Sequence, residues 1–125
     1  MADIIGAMYS HLDPDKASDF AMNPEQLLNL ANTFVSSLDK DLLSIEAALI
    51  GQDMDALRRL LHTLKGYVTF LCTEELGQQL IQLEADSRSL DFSQIQTRVN
   101  ALSPLLSLLH SEVIHWKSTV LQNHS

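Results

Sequence analysis

Apolar residues recur every three or four positions through most of the chain, which is the spacing that places them on one face of an α-helix. The longest run begins at Asn23-Pro24, a favourable N-cap followed by proline at the first helical position, and Gly51 is its expected end. A second run begins after Asp53, another N-cap residue, and continues to Leu71. These patterns predict two long amphipathic helices joined by a tight turn.

Two further helical runs follow in the second half of the chain. Thr73 is the expected N-cap of the first, and Asp91 and Gln94 have the spacing of a capping box at the start of the second. The last run keeps its helical phase past Pro104, which either kinks one long helix or, with Ser103 as N-cap, begins another. We favour the single kinked helix.

The N-terminal segment is predicted separately from these four helices. Its apolar positions indicate a helix from Asp3 to Leu12 that ends before Pro14, with a loop from Lys16 to Met22. We therefore divide the chain into an N-terminal helix and loop (1–22) and a bundle (23–122). Short connections between long helices favour antiparallel neighbours. The expected fold is all-α: an antiparallel up-and-down four-helix bundle with an extra N-terminal helix packed across it.

Composition narrows the classes of partner and compartment. The 125 residues, 46% of them apolar, suit one domain with one core, and the formal charge of -8 disfavours nucleic acid and anionic membranes as partners. The single cysteine, Cys72, excludes an internal disulfide and is expected to be a small buried apolar residue. The chain shows no secretion signal and no apolar run long enough to cross a bilayer, so we expect a cytoplasmic protein. We also expect it to be a monomer.

The candidate chemistry lies on the third predicted helix. On a wheel of about 100° per residue, His62 falls opposite the leucine stripe and is therefore expected to face solvent. Arg58, Arg59 and Lys65 are three of the chain's 8 basic residues and lie close around it in sequence. They create a local positive field that would stabilise an added phosphoryl group.

Gly66, one turn after His62, is unfavourable inside a helix by about 1 kcal/mol relative to alanine. Its missing side chain opens space beside the imidazole, so that another protein's acidic pocket can approach. Imidazole is a nucleophile and is partly neutral near pH 7, which suits covalent transfer. Thr69 shares this face and is a supporting candidate.

Metal binding is not expected, since His110 and His115 are five residues apart and cannot share a helical face.

The stretch Leu60-Leu61-His62-Thr63-Leu64-Lys65-Gly66 resembles the His-x-Leu-Lys-Gly signature of histidine-containing phosphotransfer (HPt) domains. The preceding run from Phe34 to Arg59 resembles the family's first bundle helix and turn, and Leu83-Glu84 resembles its Leu-Glu pair on the next helix. The resemblance covers about residues 24–88. The sequence departs from the family pattern at Leu61, commonly alanine, at Tyr67 and Val68, usually small, and at Cys72, usually glycine.

The resemblance implies a phosphorelay intermediate. His62 would take a phosphoryl group from an aspartate of a receiver domain and pass it to another response regulator, and a hybrid sensor histidine kinase would carry one such receiver. Such a domain is a carrier without kinase or ATP-binding activity, and binds no cofactor itself; Mg²⁺ is expected on the partner receiver. Lys65 would offset phosphoryl charge, Gly66 would give access, and Arg58 and Arg59 would assist electrostatically.

One role depends on the register between helices. Glu84, on the neighbouring helix, would hydrogen-bond the imidazole and set its tautomer.

Two alternative functions remain open. One is a helical adaptor that binds receivers or other partners without transferring phosphate. The other is the dimerising hairpin of a histidine kinase, in which the histidine is normally followed by an acidic residue, whereas Thr63 follows here.

Overall fold

The computed structural model describes residues 9–19 and 23–123, and within these ranges the chain forms helices and no strand. The helices are α1 (Pro14–Ser18), α2 (Pro24–Ile50), α3 (Met54–Val68), α4 (Glu74–Asp86) and α5 (Phe92–Asn123). Adjacent long helices pack in the order α2, α3, α4, α5, and α5 closes the ring against α2, so that α3 and α5 lie diagonally opposite. The all-α bundle predicted from the sequence is confirmed.

The predicted caps fix where the long helices begin. In each case a side-chain oxygen accepts a hydrogen bond from a backbone N–H of the first turn, which would otherwise lack a partner. At α5 the capping box is reciprocal, because the Gln94 side chain also accepts from the Asp91 N–H at 3.1 Å. The capping bonds are Gln26 N to Asn23 at 2.9 Å, Ala56 N to Asp53 at 3.0 Å, Leu76 N to Thr73 at 3.4 Å and Gln94 N to Asp91 at 2.9 Å.

The core is built mainly of leucines from all four long helices. Each fully buried leucine contributes about 1.5–3 kcal/mol relative to an exposed one. Cys72 is also fully buried, and burial raises the pKa of its thiol to about 11. A Cβ on Gly77 would lie 3.5 Å from the Cys72 sulfur, an ordinary van der Waals distance, so Gly77 packs beside Cys72. The interpretation of Cys72 as a buried apolar residue is therefore supported.

The start of the chain corrects two sequence predictions. Residues 9–12 are not helical, although a helix from Asp3 to Leu12 was expected; residues 3–8 lie outside the described ranges. Residues 14–18 are helical where a loop from Lys16 was expected. Asp13 caps this short helix by accepting from the Asp15 N–H at 3.1 Å, and Pro14 supplies the preset φ of a first helical position. Proline therefore begins a helix here as well as discouraging one before it.

Residues 9–13 are not helical and form a segment, the N-terminal strap, that is held by α5 and by the turn between α3 and α4. The buried carboxylate of Glu112 accepts backbone N–H bonds from Ser10, His11 and Leu12 at 2.6, 2.8 and 3.0 Å. The Asp13 N–H donates to the Leu71 carbonyl, and the Thr73 N–H donates to the His11 carbonyl, both at 2.8 Å.

This pairing accounts for the early end of α3. The helix stops at Val68 instead of continuing to Leu71 as predicted, because residues 71–73 pair with the strap.

At the other end of the sequence, α5 runs without interruption from Phe92 to Asn123 and contains Pro104. One helix through Pro104 is therefore correct. None of the helices in the described ranges combines the length and the apolar character that a membrane span requires.

Candidate functional site

His62 projects from the middle of α3 into solvent. The same helix buries Leu57, Leu61, Leu64 and Val68 against the bundle, and this stripe turns the opposite face outward. The side chain of His62 is 70% exposed. The ring is therefore held on a well-packed helix yet open to a second protein.

Glu84 comes from α4 and lies directly beside the ring. Its side chain is only 8% exposed, and its Oε1 is 3.2 Å from His62 Nδ1. Its other oxygen is 3.3 Å from Lys65 Nζ, and Arg88 Nη2 lies 3.7 Å from Oε1. The hydrogen bond with His62 lowers the pKa of Glu84 most, the bond and charge of Lys65 and the charge of Arg88 lower it further, and desolvation opposes them.

These contacts determine which ring nitrogen is available. An ionised carboxylate can only accept hydrogen bonds, so the bond between Glu84 and His62 requires a proton on Nδ1. In the neutral imidazole the lone pair is then on Nε2. The nitrogen that carries the lone pair, Nε2, thus belongs to a ring that is mostly exposed to solvent.

Positive charge collects around an open depression next to the ring. Three arginines line it, Arg58, Arg59 and Arg88, and the first two were sequence candidates. Sequence reasoning missed Arg88, although its position four residues after Glu84 is the spacing of a helical ion pair and could have indicated it. The lining residues are Arg58, Arg59, His62, Thr63, Glu84, Ser87 and Arg88.

The comparison with known families agrees with this arrangement. A family model described as the Hpt domain matches residues 29–116, more than two thirds of the chain. The chain belongs to the Hpt domain family. Hpt domains take part in histidine phosphotransfer within two-component phosphorelays, where they act as phosphocarriers and interact with receiver domains. No match was found among curated proteins or among solved structures.

Two cross-links hold the histidine helix of this Hpt domain against α4. On one side of His62, Arg58 Nε donates to the Ser87 carbonyl at 2.9 Å. On the other side, Lys65 pairs with Glu84 at 3.3 Å. The links lie about one turn before and one turn after the ring. They fix the register between α3 and α4 that sequence analysis could not supply.

The remaining sequence candidates occupy different positions. Apart from its chain neighbours and the backbone of its own helix, no atom lies within 4 Å of a Cβ built on Gly66, so the space beside that residue is open. Thr69 does not line the depression; its hydroxyl donates to the Lys65 carbonyl at 2.8 Å. Tyr67 is half-buried and donates to Asp41 at 2.7 Å, and burial together with that bond raises the pKa of its phenol. Tyr67 therefore joins α3 to α2 and leaves the exposed face clear.

The lowered pKa of Glu84 predicts how its contribution to stability varies with pH. The folded state favours the ionised carboxylate, so Glu84 stabilises the bundle above its ordinary pKa of 4.5 and loses that effect as the pH falls through the folded value. The difference in unfolding free energy between the wild type and Glu84→Gln should be largest near neutral pH and shrink below pH 4.5. Urea unfolding from pH 7 to pH 3 measures it. A constant difference would show that the charge of Glu84 contributes nothing.

Proposed function

We propose that this Hpt domain accepts a phosphoryl group on Nε2 of His62 from the aspartyl phosphate of one receiver domain and donates it to another. The observation that supports this most directly is the exposed ring whose Nδ1 is bonded to Glu84. That bond leaves the lone pair on Nε2 of a ring that is mostly exposed. A receiver of a hybrid sensor histidine kinase is the proposed donor, and a response regulator in the cytoplasm is the proposed acceptor.

The transfer needs no proton movement within this chain. The Nε2 lone pair forms the N–P bond while the aspartyl O–P bond breaks and its electron pair returns to the receiver's carboxylate. The ring then carries phosphoryl on Nε2 and the original proton on Nδ1, and Glu84 stabilises the resulting positive charge. In the onward step the ring leaves as neutral imidazole, again with Nδ1–H in place. Glu84 is thus proposed to serve acceptance and donation alike.

The basic side chains supply charge where the phosphoryl group would sit. Arg58, Arg59 and Arg88 line the depression beside the ring, and Lys65 lies on the adjoining turn of α3. Hydrogen bonds from such cations to phosphoryl oxygens are about twice as strong as neutral ones. A receiver would contribute its own Mg²⁺, which neutralises charge on the transferring group. This chain contributes the nucleophile, its orientation and a basic surface.

A labelling experiment tests the proposal. A panel of purified receiver domains is phosphorylated with radiolabelled acetyl phosphate and mixed with the wild-type chain. At least one receiver should transfer label to the chain within minutes, and the label should be labile in acid and stable in base, as expected for phosphohistidine. A receiver that binds the chain but never labels it would instead indicate the non-transferring adaptor.

Gly66 offers a prediction in which stability and transfer change in opposite directions. Because a Cβ at this position would meet no side chain or neighbouring helix within 4 Å, Gly66→Ala should stabilise the bundle by about 0.5–1 kcal/mol. Gly66→Leu should also fold, but its longer side chain would occupy the open space one turn from His62 and slow transfer by about tenfold. Urea unfolding and the transfer rate check the two effects. A leucine variant that transfers at the wild-type rate would remove Gly66 from the docking face.

A further inference from the structure

A depression lies between α2 and α5, on the side of the bundle away from His62. Its lining includes the acidic Glu46 and also Leu43, which is 62% exposed. His62 and Glu84 lie where α3 meets α4, and that pair of helices is opposite the α2–α5 pair in the ring. An occupant of this depression would therefore leave the histidine free.

One wall of the depression continues along α2 as a row of half-buried apolar side chains. The row has strict seven-residue spacing, which keeps its members on one face of the helix and is the spacing of a coiled-coil seam. Each member packs against the core and yet remains partly exposed beside α5. The four residues are Leu28, Val35, Leu42 and Leu49.

The other wall continues along α5 with the same spacing. Asn100 and Ser107 line the depression, and Ile114 and Leu121 follow them in the same row. Ile114 is 44% exposed and Leu121 is 48% exposed. The two walls form one strip, which we call the α2–α5 face and define by Leu28, Val35, Leu42, Leu49, Ile114 and Leu121.

The apolar ends of the two rows lie at matching levels. The depression is lined by residues 42–49 of α2 and 100–107 of α5. The two helices are antiparallel, since three tight turns reverse the chain between them. Equal rise along both helices then places Val35 near the level of Ile114 and Leu28 near the level of Leu121. The row from Leu28 to Leu49 spans about 32 Å, the length of a helix of about 21 residues.

Acidic side chains border the α2–α5 face. Glu25, Asp39 and Glu46 are exposed on the outer edge of α2 and lie at multiples of seven residues from one another. They occupy a position beside the apolar row that in a coiled coil pairs with charges of the neighbouring helix. The corresponding outer positions of α5 include the exposed and neutral Ser111 and Ser118. The face therefore favours positive charge on the side of an occupant that adjoins α2.

We infer that the α2–α5 face binds an amphipathic helix of another protein, with an aliphatic stripe in the groove and lysine or arginine along the edge next to α2. An apolar helix face seated in a groove is a common mode of protein recognition. Burial of Ile114 and Leu121 supplies affinity, and the acids of α2 supply orientation and steering. Such a helix attaches this domain to another protein without covering His62.

Charge complementarity favours a basic helix over a second copy of this chain. A second copy carries the same formal charge of -8. A two-fold dimer through this face would place Asp39 and Glu46 against their own counterparts or against the serines of α5. The acids would then lose water without gaining a charge of opposite sign along these rows.

A designed peptide tests the inference. The probe has three heptads with leucine at positions a and d and lysine at e and g, and a matched peptide has glutamate in place of each lysine. Fluorescence anisotropy measures the affinity of each labelled peptide for the wild-type chain. The lysine peptide should bind at least about tenfold more tightly than the glutamate peptide and become helical on binding. Equal affinity of the two peptides would overturn the inference.

Two double variants separate the contributions of the apolar row and the acids. Ile114→Ser/Leu121→Ser changes exposed side chains, so the bundle should stay folded, and the lysine peptide should bind about tenfold more weakly. Asp39→Lys/Glu46→Lys should weaken the lysine peptide by about tenfold and strengthen the glutamate peptide. Wild-type affinity of both double variants for the lysine peptide would contradict the assignment.

The matched control for charge is Asp55→Lys/Glu75→Lys. It changes two exposed acids on α3 and α4, on the opposite side of the bundle, and alters the net charge by the same amount. Both peptide affinities should stay within about twofold of the wild-type values. If this control changes them as much as Asp39→Lys/Glu46→Lys does, the peptide responds to net charge alone and the inference is wrong.

Two further measurements locate the bound helix. With a receiver that labels the wild type, saturating lysine peptide should leave the transfer rate unchanged, and competition with that receiver would place the peptide elsewhere and overturn the inference. A wild-type dimer in sedimentation that Ile114→Ser/Leu121→Ser dissociates would make the face a self-association surface and would overturn it as well. The peptide affinities do not depend on phosphotransfer, so they test the α2–α5 face whether or not a receiver labels His62.

Discussion

Replacement of His62 by glutamine is expected to abolish phosphoryl transfer to the chain while leaving the bundle folded. A carboxamide nitrogen is not a nucleophile, so no N–P bond can form at this position. The side chain is 70% exposed and makes one hydrogen bond, to Glu84, so its loss should change the unfolding free energy by less than about 1 kcal/mol. Label from a phosphorylated receiver should fall below detection, and circular dichroism should show unchanged helicity.

The control uses another histidine of the same chain. His115 on α5 is hydrogen-bonded to the Tyr9 hydroxyl at 2.9 Å, and α5 lies diagonally opposite α3. His115→Gln should keep full labelling. Label that persists in His62→Gln and disappears in His115→Gln would move the phosphorylation site away from α3.

Truncation of Glu112 to alanine is expected to give the largest loss of stability among the polar residues discussed. One buried carboxylate accepts three backbone N–H bonds from the N-terminal strap, and no other acceptor replaces it in the alanine variant. Charged hydrogen bonds contribute about 1.5–3 kcal/mol, and rehydration of the released strap offsets part of the loss. We expect a decrease of about 2–4 kcal/mol in unfolding free energy, measured by urea unfolding.

Hydrogen exchange gives an independent readout of the same contact. The amides of Ser10, His11 and Leu12 should exchange much faster in Glu112→Ala than in the wild type, because their common acceptor is removed. Glu46 is an exposed acid on α2, and Glu46→Ala should change stability by less than about 0.5 kcal/mol. If Glu112→Ala is as stable as Glu46→Ala, the strap is not held by this carboxylate.

The long helices could be predicted because their determinants are local. Caps at Asn23, Asp53 and Asp91 satisfy backbone groups three residues away, and the apolar period decides which face is buried. The N-terminal strap could not be predicted in this way. Its partners lie about 100 residues away on α5, and they bind backbone groups that any sequence would supply.

The sequence nevertheless contains an indication that Glu112 is buried. It falls in the apolar register of α5, three residues after Leu109 and four before Trp116, where an unpaired carboxylate would be costly. A charged residue at such a position indicates a buried partner, although the pattern does not say which. The identity of the partner required the three-dimensional arrangement.

The residues of the candidate site also fall into two groups, those whose positions follow from one helix and those whose positions depend on the packing of two helices. The exposure of His62 and the nearby Arg58, Arg59 and Lys65 follow from positions on one helix. The contact of Glu84 with that helix depends on the register between α3 and α4, which follows from the turn at residues 69–73. The resemblance pointed to Glu84, and the spacing of Arg88 from Glu84 could have indicated their ion pair, whereas the place of Arg88 in the depression beside His62 required the assembled bundle.

The paired links from α3 to α4 on either side of His62 have a consequence for partner choice. Since Arg58 and Lys65 already fix the helix that carries the ring, little conformational entropy remains to be lost when a receiver arrives. Under the proposed function, successive receivers would then meet the same preorganised surface. Discrimination between donor and acceptor would have to come from the shape of each receiver and from its phosphorylation state, with this domain serving as an invariant template.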